Sequence, residues 1–209
     1  MSSECFEDAR RGTGFGIGFI VTGPSGAGKT SVIERVVGDL PHLAFSVSHT
    51  TRSPRDAEVD GRDYLFITDD AFGELARGGG FVEHTVYSGH RYGTGVEQLE
   101  QLFAAGDDVL LNVEVEGSAS IRSRGLGKHP AVHIFLAPSS LDRLEERLRS
   151  RGSEAEHKIK ERLQVALHEM EQLPTFDYLV INDDLDTAVE ELRSIIIAER
   201  IRISGDRAS

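Results

Sequence analysis

The chain has 209 residues, of which 39% are hydrophobic and 28% are charged, and 23 basic residues against 35 acidic ones give a net charge of −12. This length suits one domain, and the composition is that of a globular protein, which excludes broad disorder. The acidic balance argues against a protein that wraps DNA or RNA, because nucleic-acid phosphates are met by basic surfaces. It does not exclude small phosphate ligands, for which a local cluster of donors is enough.

Cysteine occurs once, at Cys5. The chain can therefore form neither an intramolecular disulfide nor a zinc site built from cysteines, which suits a reducing cytoplasm. The longest uncharged stretch, residues 12–28, is interrupted by glycines and Pro24, so it predicts neither a membrane span nor a signal-peptide core. We expect a soluble, unexported protein in the cytoplasm, with no membrane partner.

Short apolar runs alternate with segments of helical periodicity. Residues 1–16 lack periodicity and are interpreted as a loose tail. Continuous apolar runs predict strands covered on both faces, at residues 17–22, 43–47, 109–113, 132–136 and 178–181. Helical periodicity predicts helices around residues 32–40, 141–148, 154–173 and 185–203, the last opened by a capping-type run at 182–184. The alternation favours an α/β fold with a parallel sheet and helices on both faces.

Residues 52–95 interrupt this alternation. Two short β runs, residues 64–67 and 81–86, are separated by a helix-like piece and by the turn Gly78-Gly79-Gly80. We interpret this stretch as a substructure inserted into the same domain.

A glycine-rich turn follows the first predicted strand and precedes the first helix. It matches the pattern G-x-x-x-x-G-K-[ST] with Gly23, Pro24, Ser25, Gly26, Ala27, Gly28, Lys29 and Thr30. The glycines let backbone N–H groups face an anion, and the helix N-terminus adds partial positive charge. Lys29 would reach the β- and γ-phosphates, and Thr30 would offer its hydroxyl to Mg²⁺. The pattern predicts a nucleoside triphosphate site and says nothing about the acceptor.

Arg52 and Arg55 lie on either side of Pro54, at the end of the stretch Ser46-Val-Ser-His-Thr-Thr-Arg-Ser-Pro-Arg55. Their planar guanidinium groups suit phosphate oxygens, so the pair could hold a second phosphate. Two solvated loop arginines are the alternative. Three further residues of the insert support the first interpretation: Tyr64, Glu83 and Tyr92.

This set of residues resembles the guanylate kinase family, from about residue 19 to residue 196. The most specific part is the stretch ending at Arg55 followed by Glu58-Val-Asp-Gly-Arg-Asp-Tyr64. The resemblance implies a P-loop nucleoside monophosphate kinase: a parallel five-stranded core, a small mixed α/β nucleotide-binding insert and a short helical lid. Within one domain over residues 17–205, the core would be 17–48, 96–144 and 166–205, the insert about 49–95, and the lid about 145–165.

The resemblance also implies an activity, the transfer of phosphate from ATP to GMP, with Mg²⁺ required. GMP or dGMP and ATP would be the partners, with no nucleic acid polymer. The phosphate of GMP would be held by Arg52, Arg55, Tyr64 and Tyr92, and its base would be read by Ser48, Glu83 and Thr94. A carboxylate suits guanine, which presents N1–H and an amine on one edge, whereas adenine presents a bare acceptor there and would be rejected.

Three arginines fall in the implied lid. Arg147 and Arg151 are four residues apart and so share a helix face, while Arg162 lies on the following helix. In the family, the matching arginines close over the triphosphate and neutralise charge on the transferring group. A salt-bridged surface hairpin is the alternative, because acidic residues are adjacent. Asn182 resembles the family position near the adenine ring, although asparagine also caps helices.

The chain departs from the family where the strand at 109–113 ends. Asn112, Glu114 and Glu116 stand where the family usually has an acidic residue, Asp and Gln, near the amine edge of guanine and the water shell of the metal. Asn112 has lost a charge and gained donors, so it could pair with a carbonyl as well as an amine. Glu114 keeps the charge but reaches one methylene farther, which could reposition the ligation of Mg²⁺.

Three explanations of these departures stay open: harmless drift, a slower guanylate kinase, or a related kinase with a shifted acceptor. The second predicts that Asn112→Asp raises kcat on GMP severalfold. A kinase acting on another purine monophosphate or a sugar phosphate is the alternative enzyme, and a non-catalytic guanylate-kinase-like binding module is a further alternative. The sequence does not decide between a monomer and a homo-oligomer.

Overall fold

The computed structural model describes residues 16–87, 89–150 and 156–203. Its central sheet contains β1 (Gly18–Thr22), β2 (Leu43–Phe45), β7 (Asp108–Asn112), β8 (Ala131–Ala137) and β9 (Tyr178–Ile181), numbered along the chain. The strands are all parallel, in the order β2-β7-β1-β8-β9. Each overlaps one of the five apolar runs, so the predicted parallel five-stranded α/β fold is confirmed.

Helices cover both faces of this sheet. In chain order the helices of the described residues are α1 (Lys29–Asp39), α2 (Asp69–Arg77), α3 (Val96–Ala104), α4 (Val115–Arg124), α5 (Leu141–Ser150), α6 (Glu156–Glu171) and α7 (Leu185–Arg200), with a 3₁₀ turn at Leu173–Thr175. Those whose buried residues pack on the central sheet are α1, α3, α4 and α7. Phe19 and Val21 pack with α1 and α7 on one face, whereas Ile20 packs with α3 and α4 on the other. This alternation along β1 explains why the strand is apolar at every position.

A second, mixed sheet lies within residues 49–95. It contains β3 (His49–Thr50), β4 (Leu65–Phe66), β5 (Phe81–Tyr87) and β6 (His90–Gly95), in the order β4-β3-β6-β5. The strands β3 and β4 are parallel, and the other pairs are antiparallel. The β runs predicted at 64–67 and 81–86 correspond to β4 and β5. The strands β3 and β6 were not predicted, because His49–Thr50 and His90–Gly95 lack an apolar run.

The predicted cap of the last helix is present in the structure. Asp184 precedes α7 and its side chain accepts a hydrogen bond from the backbone N–H of Thr187 at 2.9 Å, as the capping-type run predicted.

Helices α3 and α4 were not predicted. In α4 only Gly117, Ser118 and Ile121 are buried, so no apolar period marks it. None of the helices in the described ranges is both long and apolar enough to cross a bilayer.

A buried carboxylate joins the amino ends of the core strands to the last helix. Asp108 accepts hydrogen bonds from the backbone N–H of Ile17 at 2.7 Å and from Nε of Arg200 at 2.6 Å. Arg200 also donates to the carbonyls of Pro41 and His42, at 3.0 and 2.9 Å. The pair therefore connects β1, β2, β7 and α7.

We expect Asp108→Ala to lower the free energy of unfolding by about 3–5 kcal/mol, since it leaves a partly buried guanidinium and a backbone N–H without their acceptor. Urea unfolding followed by circular dichroism measures the loss. The matched control is Asp186→Ala, which removes an exposed ion pair with Arg35 at 2.8 Å and should cost less than about 1 kcal/mol. Equal losses in the two variants would contradict this assignment.

Candidate active site

The glycine-rich turn between β1 and α1 has the backbone of an anion-binding loop. Gly23, Gly26 and Gly28 have φ angles of 151°, 94° and 91°, which side-chain-bearing residues seldom adopt. A Cβ atom at Gly23 would lie 1.9 Å from the carbonyl oxygen of Leu136, and one at Gly28 would lie 2.4 Å from Nδ2 of Asn182. Both positions therefore require glycine for space as well as for conformation.

Lys29 is the first residue of α1. Its ammonium donates to the carbonyl of Gly23 and, at 3.4 Å, to that of Pro24, so it lies across the loop. Thr30 follows in the first turn with an exposed side chain. The first turn of α1 thus carries an ammonium that lies across the loop and, one residue later, a hydroxyl, which is the set of groups that phosphates require at a helix N-terminus.

The carbonyl of Ala27 fixes the other side of the loop. It accepts from Nδ2 of Asn182 at 2.6 Å and from Nη1 of Arg147 at 3.2 Å. Arg147 also donates to the carbonyl of Asp183, at 3.2 Å. Asn182 is only 3% exposed, so its buried amide holds the backbone of the loop in place at Ala27. Contact between Asn182 and an adenine ring stays a prediction.

The structure places the predicted lid arginines only in part. Arg147 lies on α5 and reaches the phosphate loop, whereas Arg151 lies outside the described residues. Arg162 is half-buried on α6, on the helix face that also carries Ile159 and Ala166. Those two residues pack against Leu144 and Leu148 of α5. Arg147 and Arg162 therefore belong to two helices that share one apolar contact.

A cluster of one arginine and two tyrosines, separate from the phosphate loop, lies in the mixed sheet. Arg52 donates to Glu58 and to the carbonyl of Ser53, both at 2.8 Å, and its guanidinium lies 5.3 Å from the ring centre of Tyr64. The rings of Tyr64 and Tyr92 are 5.9 Å apart. The hydrogen bond from Arg52 lowers the pKa of Glu58 and raises that of Arg52. Three of the four residues predicted to bind the acceptor phosphate are thus adjacent.

The fourth residue, Arg55, is exposed and joins this cluster through the same carboxylate. Its backbone N–H donates to Glu58 at 2.9 Å, and its guanidinium lies 3.8 Å from Glu58. No role was predicted for Glu58 from the sequence, although it lies in the same specific stretch. Because Glu58 neutralises both arginines, a phosphate that binds them competes with this carboxylate.

Glu83 and Thr94 form a buried polar pair between β5 and β6. They are cross-strand neighbours, and the hydroxyl of Thr94 donates to Oε1 of Glu83 at 2.6 Å. Glu83 is 4% exposed. Burial raises its pKa, while the hydrogen bonds from Thr94 oppose the rise. Ser48 is half-buried just before β3, where its carbonyl accepts from the backbone N–H of Leu65 at 2.9 Å.

The departing residues lie at the carboxyl end of β7. Asn112 is its last residue, and Glu114 immediately precedes α4. The charge of Glu114 contributes to the raised pKa of Glu83, so the two carboxylates are close enough to interact. Glu116 accepts from the hydroxyl of Thr85 on β5 at 3.0 Å. Helix α4 therefore connects the central sheet to the mixed sheet.

One more carboxylate near this edge, Glu169 of α6, was missed. Its charge interacts with those of Lys29 and Glu114. A glutamate on a polar helix has no sequence signal that distinguishes it from a solvated residue.

The family model, the similar sequences and a similar solved structure all indicate the same family. The sequence model of the family described as guanylate kinase matches residues 18–199. The guanylate kinase of Escherichia coli K12 is 43% identical over 192 residues, covering 90% of this chain and 91% of that protein. The guanylate kinase of Geobacter metallireducens is 38% identical over 187 residues, with 90% and 91% covered.

A crystal structure of guanylate kinase from Anaplasma phagocytophilum shares the fold, with a TM-score of 0.74, 26% identity, and coverage of 90% of this chain and 88% of that one. The sequence matches extend across the phosphate loop, the mixed sheet and the two helices that carry Arg147 and Arg162. The chain belongs to the guanylate kinase family.

Proposed function

We propose that this chain catalyses the reaction GMP + ATP → GDP + ADP. Family membership supports ATP as the phosphate donor and nucleotides as the substrates. The observation that carries the choice of guanine is the buried carboxylate of Glu83, which uses Oε1 to accept from Thr94. Its other oxygen is available to accept from N1–H and the amine of guanine, whereas adenine has no donor at N1.

The residues of the site divide into donor and acceptor groups. On the donor side we assign the phosphate loop, Lys29 and Arg147, with Arg162 and Arg151 from the lid; Asn182 braces the loop. On the acceptor side, Arg52, Arg55, Tyr64 and Tyr92 would hold the phosphate of GMP, and Ser48, Glu83, Thr94, Asn112 and Glu114 would surround its base. The segment at about 49–95 acts as the acceptor-binding insert and the segment at about 145–165 as the lid.

The chemistry is a direct transfer between two anions. A phosphate oxygen of GMP attacks the γ-phosphorus of ATP, the bond from that phosphorus to the bridging oxygen breaks, and ADP leaves. Lys29 and the lid arginines neutralise the charge that spreads over the transferring group. Arg52 and its neighbours orient the attacking oxygen, and closure of insert and lid excludes water, so that ATP is not hydrolysed instead.

The site also fits Mg²⁺. Thr30 offers a hydroxyl beside Lys29, and the carboxylates of Glu114 and Glu169 act on the same region; such oxygen donors suit Mg²⁺ and its water shell. Thr30 would hold the ion, which when bound supplies charge neutralisation at the β- and γ-phosphates.

Phosphorus NMR of a mixture of the chain, MgATP and GMP tests the proposal directly. The expected spectrum loses the resonances of ATP and GMP and gains those of GDP and ADP in equal amounts. Inorganic phosphate in place of GDP would indicate hydrolysis and contradict a kinase assignment.

Gly117 offers a separate test of the base site. A Cβ atom at Gly117 would lie 2.6 Å from Oε2 of Glu83, so Gly117→Ala should displace this carboxylate. We expect the KM for GMP to rise about tenfold with the KM for ATP unchanged, a typical cost for one disturbed buried hydrogen-bonding group.

The matched control is Gly38→Ala in α1, where the space around the new Cβ atom is open. This variant should keep both KM values and unfold at slightly higher urea, because alanine favours helix over glycine. A similar KM for GMP in Gly117→Ala and the unchanged chain would show that Gly117 does not shape the base site.

A further inference from the structure

Glu169 is a buried carboxylate near the carboxyl end of α6. Residues 162, 166 and 169 follow one face of this helix, so Glu169 shares its face with Arg162 and Ala166. Its exposed fraction is only 8%. This face packs on Leu144 and Leu148 of α5. A Cβ atom at Gly26 of the phosphate loop would lie 2.9 Å from Leu148, so the inner face of α6 lies beside that loop.

The carboxylate of Glu169 has neither a hydrogen-bond partner nor an ion-pair partner within residues 16–87, 89–150 and 156–203. Its neighbours on the helix differ: His168 and Glu171, both exposed, pair with each other at 3.1 Å. A carboxylate that is mostly enclosed by protein is stable in its charged form only when water or a ligand supplies donors or positive charge.

Two groups at the carboxyl edge of the sheet act on this carboxylate. Burial and then the charge of Glu114 raise the pKa of Glu169 to about 7, and the charge of Lys29 opposes the rise. The packing agrees with this placement, because Leu148 of α5 contacts both the inner face of α6 and Gly26 of the phosphate loop. The ammonium of Lys29 donates to the carbonyls of Gly23 and Pro24 instead of to Glu169.

The missing partner must therefore supply donors or positive charge at the end of the phosphate loop. Protein-bound Mg²⁺ keeps several of its water molecules, and carboxylates beyond the direct ligands orient those waters. A divalent cation nearby also favours the ionised form of a carboxylate whose pKa burial has raised. Both requirements of Glu169 are met by the hydrated ion that accompanies ATP.

We propose that Glu169 is a positioning residue that, together with Glu114, accepts hydrogen bonds from the water shell of the Mg²⁺ ion bound with ATP. This role rests on the proposed function for the identity of the nucleotide. It does not depend on which acceptor is phosphorylated.

The test is calorimetric binding of adenylyl-imidodiphosphate, an ATP analogue that is not cleaved, with MgCl₂ and separately with EDTA. In Glu169→Gln, we expect the gain in affinity that Mg²⁺ provides to fall about tenfold or more, as for other residues that orient metal-bound water. Affinity in EDTA should change less than about twofold. The matched control, Glu171→Gln, removes an exposed carboxylate from the same helix and should keep the whole gain.

The conservative variant Glu169→Asp keeps the charge on a shorter side chain, so its gain from Mg²⁺ should lie between those of Glu169→Gln and the unchanged chain. This variant decides the matter alone if Glu169→Gln does not fold. An unchanged gain, or an equal loss with and without Mg²⁺, would overturn the proposal and leave a purely structural role. Since the assay contains no GMP, failure of GMP phosphorylation would leave its result interpretable.

Discussion

Replacement of Lys29 by alanine should lower kcat for ADP formation from ATP and GMP by about a hundredfold to a thousandfold. Lys29 begins α1 and crosses the phosphate loop, where its ammonium would neutralise charge that develops during transfer. Losing one such preorganised donor typically has an effect of this size. Steady-state ADP release at saturating substrates measures it.

The control for this variant is Lys128→Ala. Lys128 lies between α4 and β8, before the amino end of that strand, and the phosphate loop follows the carboxyl end of β1. We expect wild-type kcat in this control. A Lys29→Ala protein that has the same circular dichroism spectrum and keeps most of its kcat would contradict the assignment of Lys29 to catalysis.

Glu83→Gln should lower kcat/KM for GMP by about a hundredfold or more. The glutamine amide would present its NH₂ group to a donor on guanine, and an unpaired buried donor is strongly unfavourable. IMP lacks the exocyclic amine, so it should lose less, and the preference for GMP over IMP should fall. The ratio of the two kcat/KM values measures this specificity.

The pH dependence of kcat/KM for GMP is a second test of the role of Glu83. Burial raises the pKa of Glu83, and the ionised form is the one that accepts from both guanine donors. In the unchanged chain, kcat/KM for GMP should therefore fall with decreasing pH already above the usual pKa of a glutamate, and Glu83→Gln should lose this fall. Glu97→Gln on the outer face of α3 is the matched control and should keep it. An unchanged GMP preference in Glu83→Gln would show that another group reads the base.

The core strands could be predicted because burial on both faces requires continuous apolar runs, as in Phe19, Ile20 and Val21. The phosphate loop could be predicted because its geometry restricts residue types, most clearly at Gly23 and Gly28. Strand β6 could not, since the polar residues of His90–Gly95 are held there by pairing with β5 and β3. Helix α4 has too few buried residues for a period.

Residues of the candidate site could be predicted where the residue type itself suggests one chemistry. They were missed where the role of a residue depends on its neighbours in the fold. Arginines beside tyrosines indicated an anion, and the structure brings Arg52, Tyr64 and Tyr92 together. Glu58 looked like one acidic residue among many, yet it contacts both arginines of the cluster. Glu169 gave no signal, because only the packing of α6 buries it.

The most direct test of the central claim is ADP release with MgATP against GMP, dGMP, IMP, AMP, CMP, UMP and ribose phosphates, with Lys29→Ala as the blank. We expect strong turnover of GMP and much weaker turnover of IMP, because the carboxylate of Glu83 accepts from the guanine amine. No turnover of GMP together with turnover of another acceptor would contradict the assigned substrate. Asn112 and Glu114 would then be the residues that change the acceptor specificity. Silence on every acceptor would contradict the kinase activity itself.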